Sequence, residues 1–406
     1  MSGMVYQRGE QARVLDIGQL RGKGQTRRGQ RLRVAFIAGT LVQDGAEKQL
    51  VYMVQALRDA GVDVHVYCLT RGEFYEQTFE AMGVSPCWVG KRRHPLLRIA
   101  TLIAALWKFR PHIVQSAHFF TNPYACIPAR FCGAMAIGCS RSDIVFDLEH
   151  CKGWGRSVLR MCPTLLVNSH AAKRNAESLS VKPERIRVLE NVIDVAAFDK
   201  AKSQKSTPTV GPAIRPVAAA LGRLIVEKRV DCFLGALAQA RCTVPELKGL
   251  IIGDGPERPR LERLATSLGL LPDNIEFLGR RSDVPALLGQ AAMLVHSSAN
   301  EGFPNAVLEA MTAGLPVITT PAGDAGVVVQ DGVSGYVVPF ADVDCMAERM
   351  VQLARSPGLR RRFGEAGRNR AERCYSYESL ADRILATYRS IVRQQNRHDL
   401  ASLLSV

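Results

Sequence analysis

From Leu32 the chain alternates short apolar runs with amphipathic stretches almost to its end. RVAFIAG (33–39) is apolar and closes on Gly, the pattern of a strand buried on both faces of a parallel sheet. Residues 46–60 carry apolar side chains at helical spacing, and VDVHVYCL (62–69) predicts a second strand. HIVQSA (112–117), DIVFDLE (143–149), TLLVNS (164–169) and IRVLEN (186–191) predict further strands, with helical stretches between most of them. Alternation at this spacing predicts a parallel sheet covered by helices on both faces.

The rhythm breaks at AKSQKSTPTVGPAIRP (201–216), which is rich in Lys, Ser, Thr and Pro and reads as a linker. It restarts with VAAALGR (217–223), LKGLIIGDG (247–255), IEFLGR (275–280), MLVHSS (293–298), LPVITT (315–320) and GYVVP (335–339). Helices are predicted over 231–240, over 305–313 and from about Asp342 onward. The expected architecture is α/β: two doubly wound, Rossmann-like domains in tandem, 31–200 and 217–375. A mobile basic tail over 1–30 precedes them, and a C-terminal helix within 376–406 packs back on the first domain. Ligands of such sheets bind outside the carboxyl ends of the strands. Two such rims across one cleft predict an enzyme with two substrates, one on each side.

Composition narrows this further. With 406 residues, 47% hydrophobic and 22% charged, the chain can bury about two cores and is not disordered as a whole. The net charge of +15 is uneven, since residues 1–195 hold 27 of the 53 basic and 16 of the 38 acidic side chains. From Ala81 to Ser142 there are eight Lys/Arg and no Asp or Glu. Such a field attracts polyanions. With 6% aromatics and no recognition motif, nucleic acid is not an expected partner. GKRRHPLLRIATLIAALWKFRPH (90–112) sets Lys91, Arg92, Arg93 and Arg98 beside an apolar helical stretch, which fits an anionic membrane surface or a core-facing helix with a basic cap. Eleven Cys without a C-x-x-C suggest reduced thiols, and the N-terminus lacks the apolar core of a signal peptide. A cytoplasmic protein, peripheral at the inner face of the membrane, is the expectation.

Candidate chemistry gathers at strand ends. Arg223 follows one strand and Lys228 comes five residues later, near a helix start, a pairing suited to a diphosphate. Gly253 and Gly255 end another strand and allow close backbone approach. In SSANEGFPNAVLEAMTAGLPVI (297–318), Glu301 and Glu309 flank an otherwise apolar interval, and carboxylates accept hydrogen bonds from vicinal hydroxyls. Asp342–Val343–Asp344 is a D-x-D, but it opens a helix and reads as a cap, so no metal is expected.

A-L-G-R-L-x₃-K, I-I-G-D-G-P-E, F-L-G-R, S-x₃-E-G-F-P-N-A-V-L-E-A-M-x-A-G-L-P-V-I and D-G-x-x-G-Y-V-V-P, in that order, resemble family 4 retaining glycosyltransferases of the GT-B fold. The resemblance covers roughly 31–390 and is strongest in 217–340. It implies an NDP-sugar donor, UDP-type, as co-substrate without a further cofactor, and a glycan or lipid-linked acceptor in cell-surface polysaccharide or glycoconjugate synthesis. By resemblance Arg223 and Lys228 hold the donor diphosphate and stabilise the departing nucleotide. Glu309 takes the ribose hydroxyls, and Glu301 the donor sugar, helped by backbone amides of Gly302, Phe303 and Asn305. Arg280 lies near the base, Gly45 approaches the diphosphate or acceptor, and His118 stands near the reacting sugar. Asp44–Gly45 replaces the paired glycines of many members, and Val192 replaces a glycine in ENVID (190–194). The competing readings are a GT-B epimerase or phosphorylase, a basic polyanion-binding protein and an inactive transferase-like protein.

Overall fold

The computed structural model describes residues 31–90, 94–151, 153–203 and 215–404. The expected tail over 1–30, most of the expected linker, and Lys91, Arg92 and Arg93 lie outside the described residues.

The first sheet is built from β1 (Arg33–Ala38), β2 (Asp63–Cys68), β3 (Cys87–Trp88), β4 (Ile113–Ser116), β5 (Met135–Ser140), β6 (Leu165–Val167) and β7 (Ile186–Val188). Their order is β3-β2-β1-β4-β5-β6-β7, every pair parallel. The second holds β8 (Val217–Leu221), β9 (Lys248–Ile252), β10 (Ile275–Phe277), β11 (Met293–His296), β12 (Val317–Thr319) and β13 (Gly335–Val337), in the order β10-β9-β8-β11-β12-β13, again parallel. Both are open sheets whose order reverses once, at β1/β4 and at β8/β11.

The helices that matter for function are α1 (Gly45–Asp59), α2 (Pro95–Phe109), α3 (Asn122–Cys132), α4 (Ile144–His150), α5 (His170–Ser178), α6 (Val195–Ser203), α7 (Val230–Thr243), α8 (Asn305–Ala313), α9 (Val343–Arg355) and α10 (Leu380–Gln394). One correction concerns 143–149, expected as a strand. It is helix α4, and the strand at that place in the sheet is β5. A short apolar run does not separate strand from helix by periodicity. Here Asp143 decides, because its carboxylate caps the turn by accepting from the Val145 amide at 2.8 Å. The D-x-D of 342–344 is likewise a cap, Asp342 accepting from the Cys345 amide at 2.9 Å.

One face of the first sheet buries Val34 and Phe36 against Leu50, Val54 and Leu57 of α1 and Ile384, Tyr388 and Ile391 of α10. Each large apolar side chain so buried contributes about 1.5–3 kcal/mol. The Tyr388 hydroxyl donates to Gln115 Oε1 on β4 at 2.7 Å, so this buried polar pair is satisfied. Helix α10 is thus part of the first domain although it follows the second in sequence. The chain changes partners ahead of the polar linker: Phe198 of α6 packs with Val217 and Leu287, and Asp199 binds the Arg368 guanidinium through both oxygens, at 2.8 and 2.6 Å. It crosses back at Tyr375–Tyr377, where Ile193 hydrogen-bonds Tyr375 and Tyr377 through its amide and carbonyl, at 2.9 and 3.0 Å. Among the described residues no helix is long and apolar enough to cross a membrane.

Candidate active site

In an open parallel sheet the crevice for a ligand forms where the strand order reverses. The first turn of α1, which follows β1, supplies Gly45 and Glu47, the loop after β4 supplies His118, and the segments after β8 and β11 supply Arg223, Lys228 and Glu301. Of the sequence candidates, Gly45, His118, Arg223, Lys228 and Glu301 therefore fall at the two switch points, on facing rims.

On the second rim the loop after β8 turns through 226–228, and Arg229 takes a left-handed conformation (φ 46°) before α7 starts. Ser297 ties this turn to β11 by donating to the carbonyls of Lys228 and Arg229, at 3.0 and 2.8 Å. Lys228 Nζ is thereby placed on Glu301 Oε1. The same oxygen accepts from His296 Nε2 and from the Ser298 hydroxyl, both at 2.8 Å. Burial alone would raise the Glu301 carboxyl; the Lys228 charge and the His296 hydrogen bond outweigh it and hold the group far below the usual carboxylate range. Glu301 is a fixed anion with all three of these bonds on one oxygen. Gly222, Arg223, Leu224, Lys228, His296 and Ser298 line a small pocket beside it.

Gly253 (φ 143°) and Gly255 have a packing reason. A Cβ on Gly253 would stand 1.8 Å from the Gly222 carbonyl oxygen, and one on Gly255 2.3 Å from that of Leu224. They lock the loops after β8 and β9 together and hold Arg223 in place. Arg280 is exposed just beyond β10, and the carbonyl of the preceding Gly279 accepts from the Gly253 amide at 2.8 Å.

On the first rim, the Gly39 amide donates to His118 Nδ1 at 3.1 Å, so the proton of the neutral ring sits on Nε2, which meets Glu47 Oε1 at 3.2 Å. Thr40 donates to the same carboxylate at 2.6 Å. Burial pushes Glu47 up, but His118 and Thr40 together bring it below its usual 4.5. Glu47 orients the imidazole.

The remaining candidates meet the opposite domain. Glu309 Oε1 accepts from Lys48 Nζ at 2.7 Å, and Arg223 Nε lies 3.4 Å from Asp44 Oδ2. Burial acts to lower the Lys48 ammonium, and the Glu309 carboxylate overcomes it and holds it well above the usual lysine range. Asn191 Nδ2 donates to Asn305 Oδ1 at 2.9 Å, and a Cβ on Gly45 would stand 2.3 Å from Asn305 Nδ2, so the first turns of α1 and α8 abut. Gly302 packs on Asn168 and the Arg141 carbonyl. The Phe303 ring is buried edge-on against Tyr375, which leaves only its backbone for a ligand. Asp324 Oδ2 and Oδ1 accept from the His170 and Ala171 amides, at 2.6 and 2.9 Å, capping α5 from the other domain.

The structure thus unites Arg223, Lys228 and Glu301 on one rim and puts His118 on the other. Sequence reasoning missed Glu47, Lys48, His296 and Asp324. His296 alone left a signal, as the one ionisable residue within the apolar run of β11. Among the described residues no three His, Cys, Asp or Glu side chains cluster as metal ligands.

Two Rossmann-like domains facing across a cleft, with cations and a fixed carboxylate at the switch point of the second, define a protein of the GT-B class. Two family models match the chain: "Glycosyltransferase Family 4" over residues 43–197 and "Glycosyl transferases group 1" over 206–370. The chain belongs to the family 4 glycosyltransferases. It is 29% identical over 232 residues to the lipopolysaccharide core biosynthesis glycosyltransferase LpsE of Rhizobium meliloti, covering 56% of this chain and 65% of that protein. It is 32% identical over 209 residues to a GDP-mannose-dependent monoacylated phosphatidylinositol monomannoside mannosyltransferase of Corynebacterium glutamicum, covering 48% and 54%. The chain spans between half and two thirds of the length of these relatives. Among solved structures, Anabaena HepE in complex with UDP and glucose has the same fold, with a TM-score of 0.77 at 19% identity over 89% of this chain and 100% of that one.

Proposed function

We propose that the protein is a retaining hexosyltransferase that moves a sugar from an NDP-sugar, UDP-type, to a glycan or lipid-linked acceptor in cell-surface polysaccharide or glycoconjugate synthesis. The observation that carries this is the set Arg223, Lys228 and Glu301 at the β8/β11 switch point, with His118 and Glu47 on the facing rim. Arg223 and Lys228 would hold the diphosphate, and fixed cations lower the barrier because the leaving group gains negative charge as its bond to the sugar breaks. The acceptor hydroxyl would attack the anomeric carbon on the face the nucleotide leaves, and its proton would pass to the departing phosphate oxygen. Glu301 would hold the sugar hydroxyls, and His118 Nε2 stands on the acceptor side. The two cations would do the work of a divalent ion, so chelator should leave the rate unchanged. The names of LpsE and of the Corynebacterium mannosyltransferase, which concern lipopolysaccharide and a phosphatidylinositol glycoside, support a membrane-borne acceptor.

The surface of the first domain supports the same reading. On α2, Leu102 and Leu106 are buried while Leu96 (68% exposed), Leu97 (44%) and Trp107 (59%) face solvent, and Phe131 of α3 (62%) adjoins Trp107, whose indole donates to its carbonyl at 3.2 Å. Arg98, Lys108, Arg110 and Arg130 belong to the same acid-free stretch. This apolar face with a basic border would rest on an anionic leaflet at the inner side of the membrane.

Thermal unfolding with UDP, GDP, ADP and their sugar conjugates tests the donor reading. One nucleotide at a hundred times its Kd should stabilise by about 2.7 kcal/mol, a shift of several degrees. Arg223→Ala should remove that shift. A panel without any shift would overturn the donor site. Flotation with phosphatidylglycerol vesicles at low salt tests the membrane face, and failure to float would sink it.

A further inference from the structure

Resting on the donor reading above, one feature of the cleft has no part in transfer. The groups assigned to the donor's two polar ends are already in contact with side chains of α1's first turn. Arg223, assigned to the diphosphate, lies 3.4 Å from the Asp44 carboxylate, an anion of the kind it would bind in a phosphate. Glu309, assigned to the ribose, receives the Lys48 ammonium at 2.7 Å, a hydrogen-bond donor in the place of the sugar hydroxyls. Asp44 is the N-cap of α1, its Oδ1 accepting from the Gly45 amide at 2.6 Å, and Lys48 follows in the first turn, so the carboxylate and the ammonium stand at the same end of the helix.

We infer that Asp44 and Lys48 form a self-inhibitory clasp that imitates the two ends of the nucleotide and holds the cleft shut until the donor displaces it. The Asp324 cap on α5 and the Asn191–Asn305 bond also cross between the domains and bear on the same closed arrangement. Donor binding is then an exchange: phosphate for Asp44 on Arg223, ribose hydroxyls for Lys48 on Glu309. The apparent affinity for the nucleotide is lowered by the fraction of molecules in which the clasp is made.

Lys48 gives the discriminating test. UDP is an anion, so if Lys48 only adds to the positive field of the cleft, Lys48→Ala must weaken UDP binding. If Lys48 occupies Glu309, the same change must tighten it. The expected result by titration calorimetry is that UDP binds Lys48→Ala about fivefold more tightly than wild type, and Asp44→Ala likewise. Asp44→Glu, which keeps the carboxylate, should stay near wild type. In small-angle scattering without nucleotide, the Asp44→Ala/Lys48→Ala pair should show a larger radius of gyration than wild type. Unchanged or weaker UDP affinity in Lys48→Ala overturns the exchange, as does an unchanged radius in the double variant. If UDP, GDP and ADP bind neither wild type nor any variant, the donor reading itself fails and takes the exchange with it, whereas scattering still reports whether the side chains hold the domains together.

Discussion

The two rims of the cleft solve the same problem with different means. On the second rim the Glu301 cluster is satisfied locally, by Lys228, His296 and Ser298 from adjoining strand ends of one domain, while Arg223 and Glu309 take partners from the first. On the first rim His118 and Glu47 are held by residues of their own domain, while their neighbours Asp44 and Lys48 reach across to the other. A rim that is electrostatically complete in itself can be rigid before its ligand arrives. One whose charges are lent to the opposite domain changes state when that domain moves. On the proposed function the Glu301 cluster is preorganised for the developing charge of a leaving group, and the Asp44 and Lys48 contacts are the ones that would respond to domain movement.

The comparison breaks most sharply at Glu301. Glu301→Ala should reduce transfer about a thousandfold or more. It also leaves Lys228 and His296 facing a buried gap, so Glu301→Gln, which keeps the shape and loses the charge, is the cleaner variant. Transfer at the wild-type rate in either variant, with circular dichroism unchanged, would remove the site from this rim. Next in size, His118→Ala should lower kcat about a hundredfold while leaving UDP affinity near wild type, because His118 is on the rim that does not hold the nucleotide. Glu47→Gln should cost about tenfold by freeing the imidazole to rotate. Equal losses of nucleotide affinity in these two would mean the rims are not divided in this way.

A smaller effect sharpens the claim of a self-satisfied Glu301 cluster. Glu301 and Glu47 both titrate below their usual 4.5 in the folded protein. As pH falls below that value the unfolded chain takes up protons at these positions and the folded chain does not, so their contribution is present above about 4.5 and is lost progressively below it. The melting temperature of wild type should therefore fall more steeply between about pH 5 and 3 than that of Glu301→Gln. Parallel curves would show that the Lys228 and His296 contacts do not hold the carboxylate ionised. Smallest of all, Asp324→Asn should lower the melting temperature by about one to three degrees through the weakened cap on α5, with little change in UDP affinity.

How much of this was legible follows from where the partners of each group lie along the chain. Arg223, Lys228 and Glu301 lie in two short segments, 220–231 and 297–309, whose ordered motifs carry the resemblance, whereas His296 just ahead of the second carries none. The first rim joins residues far apart: Glu47 and His118 are separated by 71 positions, Lys48 and Glu309 by 261. Nothing local to Glu47 distinguishes a buried carboxylate from an ordinary acidic residue in the first turn of a helix, where either is favourable. The layered α/β pattern was legible because apolar runs and helical spacing are local. The exchange of β5 for α4 was not, because it turned on a single capping bond from Asp143.

The paired crossings at Ile193 and Ser376 carry a consequence for how this chain can be cut and recombined. The two polypeptide strands that pass between the domains are hydrogen-bonded to each other, like two leaves on one pin, so rotation about that pin is allowed and twisting across it is resisted. A graft that exchanged the domains at the polar segment alone would sever one leaf and strand α10 on the wrong partner, stripping Phe36 and Val34 of their cover. The smallest transplantable unit of the first domain is therefore discontinuous: it must bring its far C-terminal helix with it.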